Sequence, residues 1–225
     1  MCCSLWIARN DRIFKRKSWT PEEVINHAQM AYEEFGKLSQ SPICTSQSLV
    51  ESPSTDQRQW IPPPHSQVKL NTDAALPRGE SNGGIGFIIR NDLGHSILAI
   101  SNPVTMSDIL MGESMAVRAG LLAAVETGVS HIMVESDCAA LISYINGDDP
   151  APLSIGSFIH DIQCLASQFT SISFNHVSRD RNGVGNSLAW KALSSARRIV
   201  WLNSNPWLLD LCYQDISAVT YPFFQ

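Results

Sequence analysis

Polar and apolar residues alternate through Val68-Lys69-Leu70-Asn71-Thr72-Asp73, the period of a strand with one buried face. Gly83 to Arg90 predicts a second strand, with glycines where bulk is unwelcome, and Asn91-Asp92-Leu93-Gly94 has the composition of a turn. His95 to about Ser101 then returns as an antiparallel third strand. Ser107 is placed to cap a long helix over about 108–128, with Gly128 as its stop. Ile132–Ser136 reads as a short apolar strand, Cys138–Asn146 as a helix ended by Gly147, and about 155–167 as a further helix. Ser171–Val177 is the fifth strand and Val184–Ala196 the last helix. The order β-β-β-α-β-α-α-β-α predicts an α/β fold. Its sheet is mixed and five-stranded, a three-strand antiparallel meander plus two parallel strands, with helices on its faces.

Upstream the pattern is different. The basic cluster Arg12-Ile13-Phe14-Lys15-Arg16-Lys17 precedes Thr20-Pro21-Glu22-Glu23, a capping box with Pro21 at the first helical position; the helix is expected to run from Val24 to about Phe35. Residues 39–66 are rich in Ser, Pro, Gln and Thr and end in Pro62-Pro63-Pro64, the composition of a flexible linker with a stiff end. The expected organisation is therefore an N-terminal helical segment (1–38), a linker (39–66), the α/β domain (67–198) and a C-terminal extension (199–225).

Composition narrows the function classes. The 225 residues are 44% hydrophobic and 16% charged, and no apolar run approaches the roughly 20 residues a bilayer needs. Arg9, Asp11 and Arg12 follow the N-terminus too closely for a secretory h-region. The six cysteines show no metal-site spacing and read as buried small hydrophobes. The expectation is an intracellular protein, nucleus and cytoplasm not distinguished, with no membrane partner. The net charge of −5 argues against gripping nucleic acid by bulk charge alone.

Three carboxylates carry the candidate chemistry. Asp73 falls at the end of the first strand and Asp137 at the end of the fourth, so they lie side by side if those strands are parallel neighbours. A helix N-cap is the plainer role for Asp137. Glu113 sits inside the apolar stripe Leu110, Val117, Leu121 and Ala124, where a carboxylate must be paired, protonated or metal-bound. Clustered carboxylates without Cys or His suit Mg²⁺ or Mn²⁺, and two such ions serve phosphodiester cleavage.

Asn71-Thr72-Asp73-Ala74-Ala75, Gly83-Gly84-Ile85-Gly86-Phe87-Ile88-Ile89-Arg90-Asn91, Gly112-Glu113, Glu135-Ser136-Asp137 and His176-Val177-Ser178-Arg179…Asn182 occur in that order. Together they resemble the ribonuclease H-like domain of plant non-LTR retrotransposon reverse transcriptases, over roughly 68–196. The resemblance implies an endonuclease that cuts the RNA strand of RNA–DNA hybrids with two divalent ions, Asp73, Glu113 and Asp137 being ligands. It puts the fourth acidic position at Asn186, which keeps an oxygen but loses the charge and so weakens the second metal site.

Asn71 and Ser136 flank the carboxylates and are expected to orient them or to touch the substrate's 2′-hydroxyl. Arg179, Arg181 and Asn182 lie in the loop before the last helix, as backbone contacts or as an exposed polar loop. His176 reads as core or rim packing. Residues 68–198 hold nine Lys/Arg against twelve Asp/Glu, so hybrid binding is expected to be weak and metal-dependent. Two other readings stay open. A domesticated nucleic-acid-binding domain keeps the fold without cutting, and a metal-free interaction module does not need the carboxylates to converge.

Overall fold

The alternating stretch that opens at Val68 becomes the central strand of the sheet. In the computed structural model, β1 (Val68–Ala75) pairs in parallel with β4 (His131–Ser136) and antiparallel with β2 (Asn82–Arg90). All eight residues of β1 are buried, because helices cover both faces of the sheet there. β3 (Ser96–Thr105) continues the meander beyond β2, and β5 (Ser171–His176) runs parallel to β4. The structure describes residues 18–26 and 59–216.

With β6 (Ile199–Trp201) the sheet has six strands, in the order β5-β4-β1-β2-β3-β6, where five were expected. The sixth is only three residues long, paired antiparallel with β3 at the sheet edge. So short a run has no period to read; what places it is pairing, helped by Trp201 Nε1 donating to Ser101 Oγ at 2.9 Å. The segment 199–216, expected as an extension, thus supplies a strand and a helix that pack on the domain.

The helices also shift slightly from expectation. Helix α1 (Ile109–Glu126) is capped by Asp108, not Ser107: the Asp108 carboxylate accepts from Met111 N, and Ser107 Oγ donates to Asp108 in turn. α2 (Ala139–Asn146) ends at Gly147 with φ +80°, the left-handed stop that only glycine takes cheaply. α3 (Gly156–Ala166) follows, then α4 (Gly183–Ala192) and α5 (Pro206–Ile216). The last helix predicted to reach Ala196 stops at Ala192, where three successive i→i−3 bonds tighten the chain out of α-geometry.

Alternation along β2 divides the core. Phe87 and Ile89 join Leu70, Val117, Leu121 and Leu141 under α1–α3, whereas Ile88 joins Val184, Leu188 and Leu208 under α4 and α5. Gly84 and Gly86 make room for α4. A Cβ on Gly84 would lie 2.5 Å from Ala189 O, and one on Gly86 would collide with Leu188 and the Ala189 backbone. Gly86→Ala is therefore expected to cost about 1–3 kcal/mol by overpacking, read as a lower urea midpoint at unchanged m-value; an unchanged midpoint would mean that α4 is not seated on this glycine.

The chain divides into two compact units, Met1–Ser54 and Thr55–Gln225. In the first, residues 21–26 are helical and the predicted capping box forms: Thr20 N–H donates to Glu23 Oε2 at 2.7 Å, and Glu23 N–H to Thr20 Oγ1 at 3.3 Å. The rest of that helix, the basic cluster and most of the linker lie outside the described residues. Where the described chain resumes, Trp60 is buried against the sheet, its Nε1 donating to Asn71 Oδ1 at 2.8 Å. Of the three described cysteines, Cys212 is buried, Cys138 half-buried and Cys164 exposed, so the buried reading fails for Cys164. Among the described residues no helix is long and apolar enough to cross a membrane.

Candidate metal centre

Two parallel neighbouring strands and one helix deliver the three carboxylates to one place. Asp73 sits near the end of β1, Asp137 directly after β4, and Glu113 one turn into α1 on its sheet-facing side. One carboxylate oxygen from each lies within 4.8 Å of the others. That spacing lets a single cation touch all three. Asp73 and Glu113 are 3% and 5% exposed and Asp137 is half-buried, at the floor of an open cleft of about 390 Å³.

Neighbouring groups fix the orientation of Glu113 and Asp137. Ala74 N–H donates to Glu113 Oε1 at 3.2 Å, and Ser136 Oγ to Glu113 Oε2 at 3.4 Å. Asn182, fully buried, holds Asp137: its Nδ2 donates to Asp137 Oδ1 at 3.1 Å and to the Thr72 carbonyl at 2.8 Å. Asp137 does not cap α2; that position is Cys138, which makes no side-chain cap bond.

Burial and mutual repulsion make the cluster hold protons. Burial chiefly pushes Asp73 up to about 6, with the Asp137 charge adding to it, and pushes Glu113 up to about 10, with Asp73 adding. Asp73 Oδ2 is buried with no hydrogen-bond partner. An orphaned carboxylate oxygen among excess negative charge, in a cluster of three carboxylates, fits a hard divalent cation.

Both carboxyls bind their proton more tightly folded than unfolded, from references of 3.8 and 4.5. Their stabilising contribution is full below about pH 4 and is lost as pH rises through the folded values, toward about 6 and 10. In chelator, Glu113→Gln is therefore expected to match the wild type near pH 4 and to melt markedly higher near pH 8.5, by on the order of a few kcal/mol. Equal melting of the two proteins at both pH values would show that Glu113 is not under charge strain.

The other expected residues separate. Asn186 lies in the first turn of α4, half-buried, close enough for its amide to ease Asp73 downward but short of hydrogen-bond geometry. Ser136 is buried and orients Glu113, with no surface for a 2′-hydroxyl. Asn71, fully buried, is occupied by Trp60, Arg90 and Glu135, so the expectation that it contacts substrate is corrected: its side chain is spent on the interior. Asn182 is likewise no surface contact; a single buried amide links Asp137 to β1. Arg181 is half-buried, near enough to Lys69 to lower its pKa, and only Arg179 reaches the cleft of the carboxylates. His176 is exposed at the end of β5 rather than packed in the core.

A polar network beside the centre had no single-residue signal in the sequence. Lys69 pairs with Glu135 at 2.6 Å, Asn71 Nδ2 donates to Glu135 Oε2 at 3.0 Å, and Arg90 pairs with Asp215 of α5 at 2.8 Å while its guanidinium stacks 3.8 Å over the Trp60 ring. The signal available was period two: Lys69, Asn71 and Asp73, like Glu135 and Asp137, occupy one face of adjacent strands.

A family model described as "Reverse transcriptase-like" matches residues 71–192, more than half of the chain. Curated protein sequences yielded no match. Among solved structures, an RNase H1 of the halophilic archaeon Halobacterium salinarum is similar at TM-score 0.55 and 21% identity, over 58% of this chain and 99% of that one. The N-terminal RNase H domain of a Mycobacterium tuberculosis protein gives 0.54 and 22%, over 57% and 94%. LC11-RNase H1, solved with an RNA/DNA hybrid, gives 0.53 and 16%, over 56% and 96%. At such identities the likeness establishes an RNase H-like fold.

Proposed function

The chain belongs to the reverse transcriptase-like family, and on that premise we propose that its α/β domain is a divalent-metal-dependent ribonuclease that cleaves the RNA strand of RNA–DNA hybrids. The proposed origin is a retroelement of the plant non-LTR type, and the proposed place of action intracellular. The observation that carries this reading is the convergence of Asp73, Glu113 and Asp137 within 4.8 Å, which a metal-free interaction module has no reason to build. A structure of the same fold with a bound RNA/DNA hybrid supports the substrate class.

Asp73, Glu113 and Asp137 would hold Mg²⁺ or Mn²⁺, with the Asn186 side chain as a neutral partner for a second ion. When bound, two such ions supply Lewis acidity to the scissile phosphate and ease deprotonation of the attacking water. The chain's own work is positioning. The Ala74 N–H and Ser136 hydroxyl steer Glu113, and Asn182 steers Asp137. Arg179 is available to a substrate phosphate at the mouth of the cleft.

The test is cleavage of a labelled hybrid with Mg²⁺ or Mn²⁺. Metal-dependent cutting by the wild type is the expected result. The neutral Asn186 favours one second reading, a domesticated domain that binds without cutting. Binding without cleavage under either metal would select it, and cleavage regained in Asn186→Asp would locate the defect.

A further inference from the structure

Trp190 is 52% exposed, a high value for the largest apolar side chain, and among the described residues no hydrogen bond or ring contact occupies its indole. It lies four residues after Asn186 on α4, hence next to it on the helix surface. The cleft over Asp73, Glu113 and Asp137 is bounded by Trp190, Ile109 and Leu76 and by Arg179. Ile109 is 47% exposed, and Arg179 is exposed with no ion pair among the described residues. The cleft volume of about 390 Å³ falls within the roughly 300–1,000 Å³ typical of ligand sites. Its rim therefore offers an indole face, aliphatic surface and one guanidinium around an acidic floor.

We propose that Trp190 is a positioning residue that stacks on a nucleotide ring of the strand lying across the carboxylates, while Arg179 pairs with a flanking phosphate. This rests on the nuclease reading above and deepens it. The chemistry matches a nucleotide better than a peptide. The acidic floor takes phosphate only through cations, Arg179 adds a fixed positive charge at the rim, and the indole supplies a flat face that every base or sugar ring can meet. Aliphatic Ile109 and Leu76 donate no hydrogen bonds, so recognition at this rim is tolerant of base identity. The consequence is an affinity device that holds a strand across the carboxylates whatever its sequence.

The test compares wild type, Trp190→Ala and Trp190→Phe by fluorescence anisotropy of a short fluorescein-labelled RNA–DNA hybrid, with Ca²⁺ in place of Mg²⁺. Trp190→Ala is expected to raise Kd by roughly 5- to 100-fold, the range of one lost stacking partner, and Trp190→Phe to restore most of it. The loss should be equal for hybrids of different sequence. In wild type, hybrid should quench tryptophan emission, and the part of the quench due to Trp190 should vanish in Trp190→Phe. With a cutting wild type, the defect should appear in KM and leave kcat nearly unchanged. A Kd for Trp190→Ala within about twofold of wild type overturns the proposal and leaves the nuclease reading standing. A changed oligomeric state in place of a changed hybrid affinity overturns it as well, marking the indole as a self-association contact. Failure of the wild type itself to bind hybrid overturns both.

Discussion

Asp73→Asn is expected to slow metal-dependent hybrid cleavage by orders of magnitude and, at the same time, to make the metal-free protein more stable. The two effects have one cause. Asp73 contributes a buried charge, facing Glu113 and Asp137, that only a cation can neutralise well. Removing it takes away one of the three proposed ligands, for which the neighbouring amide of Asn186 is no substitute. Transition-state stabilisation by bound metal is worth several kcal/mol, so a loss of roughly 10²- to 10⁴-fold in rate is expected. In chelator the same substitution relieves repulsion. Near pH 7.5, above the folded value of about 6 for Asp73, the melting temperature should rise by a few degrees. Calorimetry with and without Mn²⁺ reads both: wild type gains stability on adding metal, and Asp73→Asn starts higher and gains little. A variant that cuts like wild type would remove Asp73 from the metal site.

The largest loss of stability is expected from Glu135→Ala. Glu135 and Lys69 face each other at 2.6 Å with side chains 5% and 3% exposed, and Asn71 donates to the same carboxylate. Burial pushes Lys69 below its ordinary pKa, with the Glu135 charge opposing that and Arg181 and Arg90 adding to it. Deleting Glu135 leaves an ammonium with cationic neighbours and no counter-charge in the interior, at a cost of about 3–5 kcal/mol. The double variant Glu135→Ala, Lys69→Met should recover much of that, because the cost belongs to the orphaned charge. Urea midpoints of the four proteins of the cycle decide this. A single variant within about 1 kcal/mol of wild type would show that water reaches Lys69.

What could be read ahead of the structure was what local pattern carries. The alternation of Val68–Asp73, the apolar stripe through Glu113 and the turn at Asn91–Gly94 each have a period or composition that backbone geometry dictates, and each element formed within a few residues of expectation. The sixth strand escaped because three edge residues have no period, and its partner lies about a hundred residues away. The buried roles of Asn71 and Asn182 are hidden from the local pattern for a related reason. An Asn beside an acidic residue looks the same whether it faces a substrate or a buried partner, and its environment is set by Trp60, Arg90 and Glu135 in one case and by Thr72 and Asp137 in the other.

By itself, then, the sequence determined the order of elements from β1 to α4, their bounds to within a few residues, and three acids as candidate ligands, since these follow from chain-local periodicity and from where the acids fall on the elements it marks. Only the tertiary structure decided that those acids meet within 4.8 Å, that Asn182 and Ser136 orient them, and that Trp190 and Arg179 stand at the mouth of the cleft. Those relations depend on strand register and on which helix covers which face, and they are settled by the packing of residues far apart in the chain.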